Sequence, residues 1–402
     1  MVSRSPWLTI VGIGEDGVEG LSSAARTAIA RAGCVFGGER HLALARVLIV
    51  GERIAWPSPM TDGIPAILAR RGSPVAVLAS GDPFCFGVGS LLARVLPMAE
   101  MLCLPAPSAF SLACARLGWS LPEVETISFC GRPIEAVRPL LQAGARVLAL
   151  SADHTTPATL AALLARWGFG ETRITVLEAM GGPDEEFFSF KASKSIHDRI
   201  AKLNLMALEV VGGPSIPLTA GLDEDWFETD GQITKREIRA LSLAALAPGR
   251  GQRLWDVGAG SGTVGIEWML RHPSCRTIAI EARADRAARV VRNAAALGVP
   301  ALEVRTGPAP EALEGLARPD AVFIGGGASN TATTEACWSV LPPGGRLVIN
   351  AVTLQTERAV MECHAAWGGR MTRIGIERLE PIGPMQGFAP ARTVLQYRAV
   401  KP

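Results

Sequence analysis

Leu254-Trp255-Asp256-Val257-Gly258-Ala259-Gly260-Ser261-Gly262-Thr263 decides the fold class. The apolar run 253–257 reads as a strand, the alternating glycines as a tight turn, and Thr263 as the start of a helix over 263–271. Backbone amides and a helix N-terminus then face a ligand with no Cβ in the way. Two readings compete for this loop. Gly260-x-Gly262-x-x-Gly265 matches the dinucleotide fingerprint, and Glu281 lies near the offset of roughly 20 residues expected of a ribose-binding acid. That match alone is weak. Asp256, two residues before the first glycine, would repel a pyrophosphate. It suits a ligand with positive charge and no phosphate, such as S-adenosylmethionine with its amino group and sulfonium. Glu281 ends the next strand, where a carboxylate can accept from both ribose hydroxyls. An ordinary helix-capping turn and a nicotinamide dinucleotide remain as alternatives.

Working outward, strands fit 276–281, 301–305, 319–324, 345–350, 371–377 and 393–399, with helices over 234–247 and 284–297. Upstream, strands fit 7–12, 74–79, 101–104, 146–150 and 173–178, with helices over 20–32, 86–96, 108–117, 134–142 and 157–168. This alternation is the signature of an α/β protein built on mostly parallel sheets. Gly212-Gly213-Pro214-Ser215-Ile216-Pro217 is a turn-forming cluster after the strand-like 206–211, and Asp223–Asp230 reads as an acidic linker or cap. We therefore expect one domain over 1–212 and another over 213–402. Pro105-Ala106-Pro107 and the break near Gly118–Pro122 divide the first into two lobes.

The 402 residues are 48% hydrophobic and 19% charged, with mean hydropathy +0.25, enough to bury large cores. The formal net charge of +2 implies no whole-chain attraction to nucleic acid or membrane. Eight scattered cysteines without a C-x-x-C pair suit a reducing compartment rather than disulfides or a zinc site. No secretory signal and no membrane-length apolar run is evident, so we expect a cytoplasmic protein. Of 40 basic residues only 5 are lysine. A coding bias explains that, although pocket-facing arginines would also suit carboxylates, and Arg40, Arg132 and Arg392 lie near predicted loops. His41, His154, His197, His272 and His364 show no i,i+4 pairing and read as structural or surface residues, with no metal expected.

The first half carries Gly12-Ile13-Gly14-Glu15-Asp16-Gly17, by itself more often a tight turn than a nucleotide site. More telling is Leu78-Ala79-Ser80-Gly81-Asp82-Pro83-Phe84-Cys85-Phe86-Gly87-Val88-Gly89, which leaves Asp82 in the crevice where α/β sheets bind ligands. The bland alternative is that Asp82 caps helix 86–96.

Together with Pro107-Ser108-Ala109-Phe110-Ser111-Leu112-Ala113 and Glu178-Ala179-Met180-Gly181-Gly182-Pro183-Asp184-Glu185, these motifs resemble the tetrapyrrole (class III) methylases over roughly 5–211. The resemblance implies a two-lobed fold, S-adenosylmethionine held by Gly81, Asp82, Gly87, Val88 and Ser108, and a macrocycle trough lined by Gly12 and Gly14. Residues 230–402 resemble class I methyltransferases. Thr229–Glu237, the glycine loop and Phe323-Ile324-Gly325-Gly326-Gly327 resemble the decarboxylating methyltransferases of corrin-ring synthesis. That resemblance implies a Rossmann-like, mostly parallel seven-stranded sheet. It also implies cofactor contacts at Thr234, Gly258, Ala259, Gly260, Ser261, Gly262, Glu281 and Ala309, with Asp256 beside them and substrate at Gly326 and Gly327. Gly307-Pro308-Ala309 departs from relatives that carry an acid after the glycine, which leaves the adenine contact open.

Two unrelated methylase folds in one chain resemble the fused enzymes that methylate two meso carbons of a corrin precursor and decarboxylate a ring acetate. Such carbons are enamine-like nucleophiles. In-line positioning supplies much of the acceleration, and no strong base is needed. The resemblance further implies a homo-oligomer and a tetrapyrrole substrate, with neither nucleic acid nor membrane as partner. The alternatives are the same folds acting on ribosomal RNA or a diphthamide precursor, and a scaffold that binds a nucleotide without turnover.

Overall fold

The computed structural model describes residues 6–194 and 199–402, so His197 lies outside the described residues. The chain divides into two compact units, one of residues 1–132 with 142–214 and one of residues 133–141 with 215–402.

In the first unit, β1 (Leu8–Ile13), β2 (Cys34–Gly37), β3 (Glu52–Ala55), β4 (Val75–Ser80) and β5 (Met101–Leu104) form a sheet in the order β3-β2-β4-β1-β5. All its pairs are parallel. The central strands are continuous apolar runs because helices cover both faces. Those helices include α1 (Ser23–Arg31), α2 (Glu39–Leu44), α3 (Ile64–Leu68) and α4 (Val88–Leu92). After α5 (Ala109–Leu117), a second sheet runs β6-β7-β10-β8-β9, from β6 (Glu125–Ser128), β7 (Arg146–Leu150), β8 (Arg173–Glu178), β9 (Glu186–Lys191) and β10 (Asn204–Glu209), with α6 (Thr156–Arg166) between β7 and β8. It is mixed: only β6 and β7 are parallel. Phe110, Ala113 and Cys114 of α5 join Leu148, Leu177 and Leu205 in one core.

The expected helix 86–96 shortens to α4, five residues long, because the chain turns through Pro83, takes φ +55 at Phe86 and is extended at Gly87, so no helix forms before Val88. The segment expected as helix 134–142 of the first half is instead a 3-10 helix, Ile134–Leu140, interrupted by Pro139, which removes an amide the α-helix would need. It groups with the second unit, where a Cβ on Gly298 would come within 2.4 Å of the Pro139 ring.

In the second unit, α7 (Arg236–Leu246) precedes β11 (Arg253–Val257), α8 (Thr263–Leu270), β12 (Arg276–Glu281), α9 (Ala284–Ala296), β13 (Glu303–Thr306) and β14 (Ala321–Ile324). Then come α10 (Thr331–Val340), β15 (Arg346–Ala351), α11 (Leu354–Trp367), β16 (Arg370–Ile374), the hairpin β17 (Glu377–Ile382) and β18 (Met385–Pro390), and β19 (Val394–Val400). The seven-stranded sheet has the order β13-β12-β11-β14-β15-β19-β16. Strands β11 to β15 are parallel, while β19 runs antiparallel to both its neighbours. The order reverses between β11 and β14, so a crevice opens beyond their carboxyl ends.

Arg239 and Glu267, both fully buried, join α7 to α8 through a 2.5 Å ion pair. Glu267 also accepts from the Gly221 and Leu222 amides at 2.7 and 3.0 Å, and Arg239 donates to the Thr234 and Leu222 carbonyls. Every charged atom thus has partners, the condition for tolerating charge in an interior. The pair ties the segment before α7 to the sheet's helices.

Candidate functional site

In the second unit a cavity of about 920 Å³ lies at that switch point, lined by the glycine loop, the end of β12, residues 231–235, 307–309 and 325–327, and by β15 and the stretches flanking the hairpin. The loop's geometry depends on glycine. Gly258 has φ +70, and a Cβ there would meet the Gly326 backbone at 2.8 Å.

Asp256 is 1% exposed and accepts from the Gly265 amide of α8 at 2.9 Å through Oδ2. Burial pushes its carboxyl up to about 7; the Gly265 bond opposes this and nearby Glu281 adds to it. Glu281 accepts from Gly260 N at 2.8 Å and from Arg283 N at 3.0 Å. Ser261 is 2% exposed, and its hydroxyl has no hydrogen-bond partner among the described residues although it sits on the cavity wall. A buried orphan hydroxyl beside a glycine cradle and two carboxylates fits a ligand that brings its own polar groups.

Of the residues expected here, Thr234, Asp256, Gly258, Ala259, Gly260, Ser261, Glu281, Ala309, Gly326 and Gly327 all line the cavity. Gly262 does not. With φ +78 at the N-terminus of α8, it leaves room for Val290 of α9, whose Cγ1 would stand 2.7 Å from a Cβ.

The wall residues 231–235 follow directly on 228–230, a stretch latched to α9. Arg286 donates to Asp230 at 2.9 Å and Gln232 at 2.7 Å; Arg289 pairs with Asp230 at 3.2 Å; and Arg292 forks onto Glu228 at 2.8 and 2.6 Å. Asn293 donates to Glu228 O and Ser261 O at 3.0 and 2.9 Å and accepts from Glu228 N at 2.8 Å. The Arg286 bond leads the forces holding Asp230 down to about 2. The spacing 286, 289, 292–293 places these side chains on one helix face, a pattern that sequence reading could have used. The end of the acidic segment is thus clamped to α9 and leads into the cavity wall at Gly231 rather than forming a free linker.

Asn350, Ile376, Arg378 and Arg392 also line the cavity, and only Arg392 was singled out from sequence. Asn350 is fixed by a 2.9 Å bond to Ser242 Oγ and a 3.1 Å bond from Gln396.

In the first unit, Gly81 has φ +53 at the end of β4, donates to Ile13 O and accepts from Ala106 N, both at 3.1 Å. Asp82 Oδ1 accepts from Phe84 N at 2.8 Å, so it shapes its own turn, and α4 begins at Gly87 and Val88 without a side-chain cap. Ser108 caps α5 by accepting from Ser111 N. Gly12 is buried where a Cβ would strike Gly81 O and Ala106 N, so its smallness serves backbone packing; Gly14, half-buried, faces Asp16. These motifs converge at the ends of β1 and β4. Beside them, Arg40 pairs with Glu15 and donates to Ser80 at 3.0 Å. His41 lies 2.8 Å from Ser80 Oγ and is pushed down to about 4 by burial and then by the Arg40 charge. Arg132 stacks on Phe86 at 4.9 Å.

Two families of methyltransferase match the chain: Tetrapyrrole (Corrin/Porphyrin) Methylases over residues 7–195 and a precorrin methyltransferase domain over 225–401. The chain is therefore a methyltransferase with a domain of each kind. A precorrin-6Y C(5,15)-methyltransferase (decarboxylating) from a Sinorhizobium species is 52% identical over 99% of this chain and 97% of its own length. One from Mycobacterium tuberculosis strain CDC 1551 is 41% identical over 98% and 100%. A cobalt-precorrin-6B C(15)-methyltransferase (decarboxylating) from Salmonella typhimurium is 34% identical over 166 residues, 40% of this chain and 85% of its own. The chain belongs to the precorrin-6Y C(5,15)-methyltransferase (decarboxylating) family.

Proposed function

We propose that the chain methylates precorrin-6Y at C5 and C15 with S-adenosylmethionine and removes carbon dioxide from the ring-C acetate, giving precorrin-8X. The first domain, over 1–212, carries the C5 transfer. The second, over 213–402, carries C15 methylation and decarboxylation. The observation that carries this reading is the cavity in which a glycine loop, Asp256, Glu281 and the unpartnered Ser261 hydroxyl meet. The existence of a relative named for the C15 reaction alone supports the division of labour.

The cofactor supplies an electrophilic methyl on a sulfonium. Asp256 has one oxygen committed to Gly265 and holds the amino group with the other. Ser261 takes up the carboxylate, and Glu281 the ribose hydroxyls. Thr234 and Ala309 close the sides, with Ala309 against the base. Gly326 and Gly327 leave the tetrapyrrole free to approach without Cβ obstruction. In the first domain Gly81, Asp82, Gly87, Val88 and Ser108 hold the second cofactor molecule beside Gly12 and Gly14. Neither site needs a metal, a strong base or a covalent intermediate, because the meso carbon is itself the nucleophile and alignment lowers the barrier.

The test is incubation of the intact chain with precorrin-6Y and methyl-labelled cofactor. The expected result is two labelled methyls in the tetrapyrrole and one carbon dioxide released. Absence of label from the pigment overturns the proposal.

A further inference from the structure

The second-unit cavity is electrically two-ended. Asp256 and Glu281 stand at the ends of β11 and β12. On the other side of the sheet, beyond β14 and β15, Arg392 sits just before β19, and Arg378 lies on β17. Strand β19 is antiparallel to β15, with Leu395 opposite Ala351, so Arg392 emerges at the same carboxyl edge as the acids. The three strand steps from β11 to β19 amount to about 14 Å at ~4.8 Å each. Lys235, at the start of α7, and Arg286 of α9 complete the cations of the wall, and Arg286 is committed to Asp230 and Gln232 at 2.9 and 2.7 Å.

These cations are unequal. Arg378 is neutralised by Glu237 of α7 at 2.5 Å. Arg392 and Lys235 make no side-chain hydrogen bond or ion pair among the described residues. At the Arg392 end the wall also carries the apolar Val352, Ile376 and Val394, with Asn350 of β15 the polar residue between the two ends. The hairpin is closed at its base by Ala391 N donating to Ile376 O at 2.8 Å, and the Arg378–Glu237 pair moors it to α7. The stretch carrying Arg392 is therefore tied down at the cavity wall.

We infer that Arg392, assisted by Lys235, is the specificity-determining anchor for peripheral carboxylates of the tetrapyrrole that do not react, and that Arg378 with Glu237 positions the hairpin that adjoins it. The inference rests on the proposed C15 reaction. Cations suit the spectator carboxylates, because a guanidinium on the departing acetate would stabilise it against loss of carbon dioxide. The apolar stretch at Val352, Ile376 and Val394 receives that acetate.

The test uses the full chain and compares wild type with Arg392→Ala and Arg392→Lys on precorrin-6Y and on a form methyl-esterified at every side chain except the ring-C acetate. Arg392→Ala raises KM for the C15 reaction about tenfold, the size of a lost charge-assisted hydrogen bond. C5 methylation, cofactor affinity and the ratio of carbon dioxide to C15 methyl stay unchanged, and Arg392→Lys recovers part of the loss. On the ester, wild type and Arg392→Ala behave alike. An equal loss on the ester, an altered ratio, or no loss on the acid overturns the inference. Failure of the wild type to methylate C15 would instead count against the proposed function.

Discussion

Asp256→Asn removes a charge from the second-unit cavity while keeping an oxygen for the Gly265 amide, which Oδ2 now accepts at 2.9 Å. Burial holds the native carboxyl up at about 7, against a usual 3.8. Between roughly pH 4 and 7 the native state therefore keeps a proton that the unfolded chain has lost, and stability falls as pH rises through that window. Three pK units correspond to about 4 kcal/mol, fully lost above pH 7. The asparagine variant escapes that loss, so it matches wild type near pH 4 in denaturant titrations and exceeds it at pH 8. Cofactor binding moves the other way. An ammonium group needs the ionised carboxylate, so wild-type affinity drops about tenfold from pH 8 to pH 6, with about half a proton released per site at pH 7. Calorimetry of the intact chain in buffers of different ionisation enthalpy measures both quantities. Subtracting the variant isolates the second site. Equal affinity and equal proton release in the two proteins would refute the role given to Asp256.

Asp82→Ala blocks C5 methylation and leaves C15 methylation intact, since its carboxylate shapes the Gly81–Phe84 turn; product mass and NMR distinguish the two positions. Gly258→Ala places a Cβ 2.8 Å from the Gly326 backbone at a residue with φ +70, and lowers second-site cofactor affinity at least about tenfold by equilibrium dialysis. Glu267→Ala leaves the Arg239 guanidinium charged and unpaired in the interior, at a cost of about 3–5 kcal/mol. Thermal denaturation shows this as a fall in Tm of the order of 10 °C.

The elements around 254–281 were legible because strand, glycine turn and helix each leave a local mark, and acids at strand ends are visible in the letters alone. The Gly81–Asp82 turn was legible for the same reason. The hairpin 377–390 was not, because Pro381, Pro390, Gly383 and Gly387 speak against strands, and its pairing is secured by cross-strand bonds and by Arg378 on Glu237. Strands β2, β3 and β6, only four residues each, are specified by their neighbours in the sheet rather than by their own pattern. Helix α10 escaped because its buried face is made of Thr333, Thr334 and Cys337 rather than large apolar residues. Asn350 went unnoticed because its meaning lies in Ser242 and Gln396, more than a hundred and some forty residues away in sequence. Arg239 resembles any surface arginine until Glu267 is seen opposite it.

The arginine latch on residues 228–232 holds one wall of the cavity to α9. Gly231 through Thr234 form part of the wall while Glu228 and Asp230 are clamped to α9, so any opening of this wall means undoing several guanidinium contacts at once. Deuterium uptake at the amides of 229–235 then becomes a clock for that opening, quickened by ionic strength.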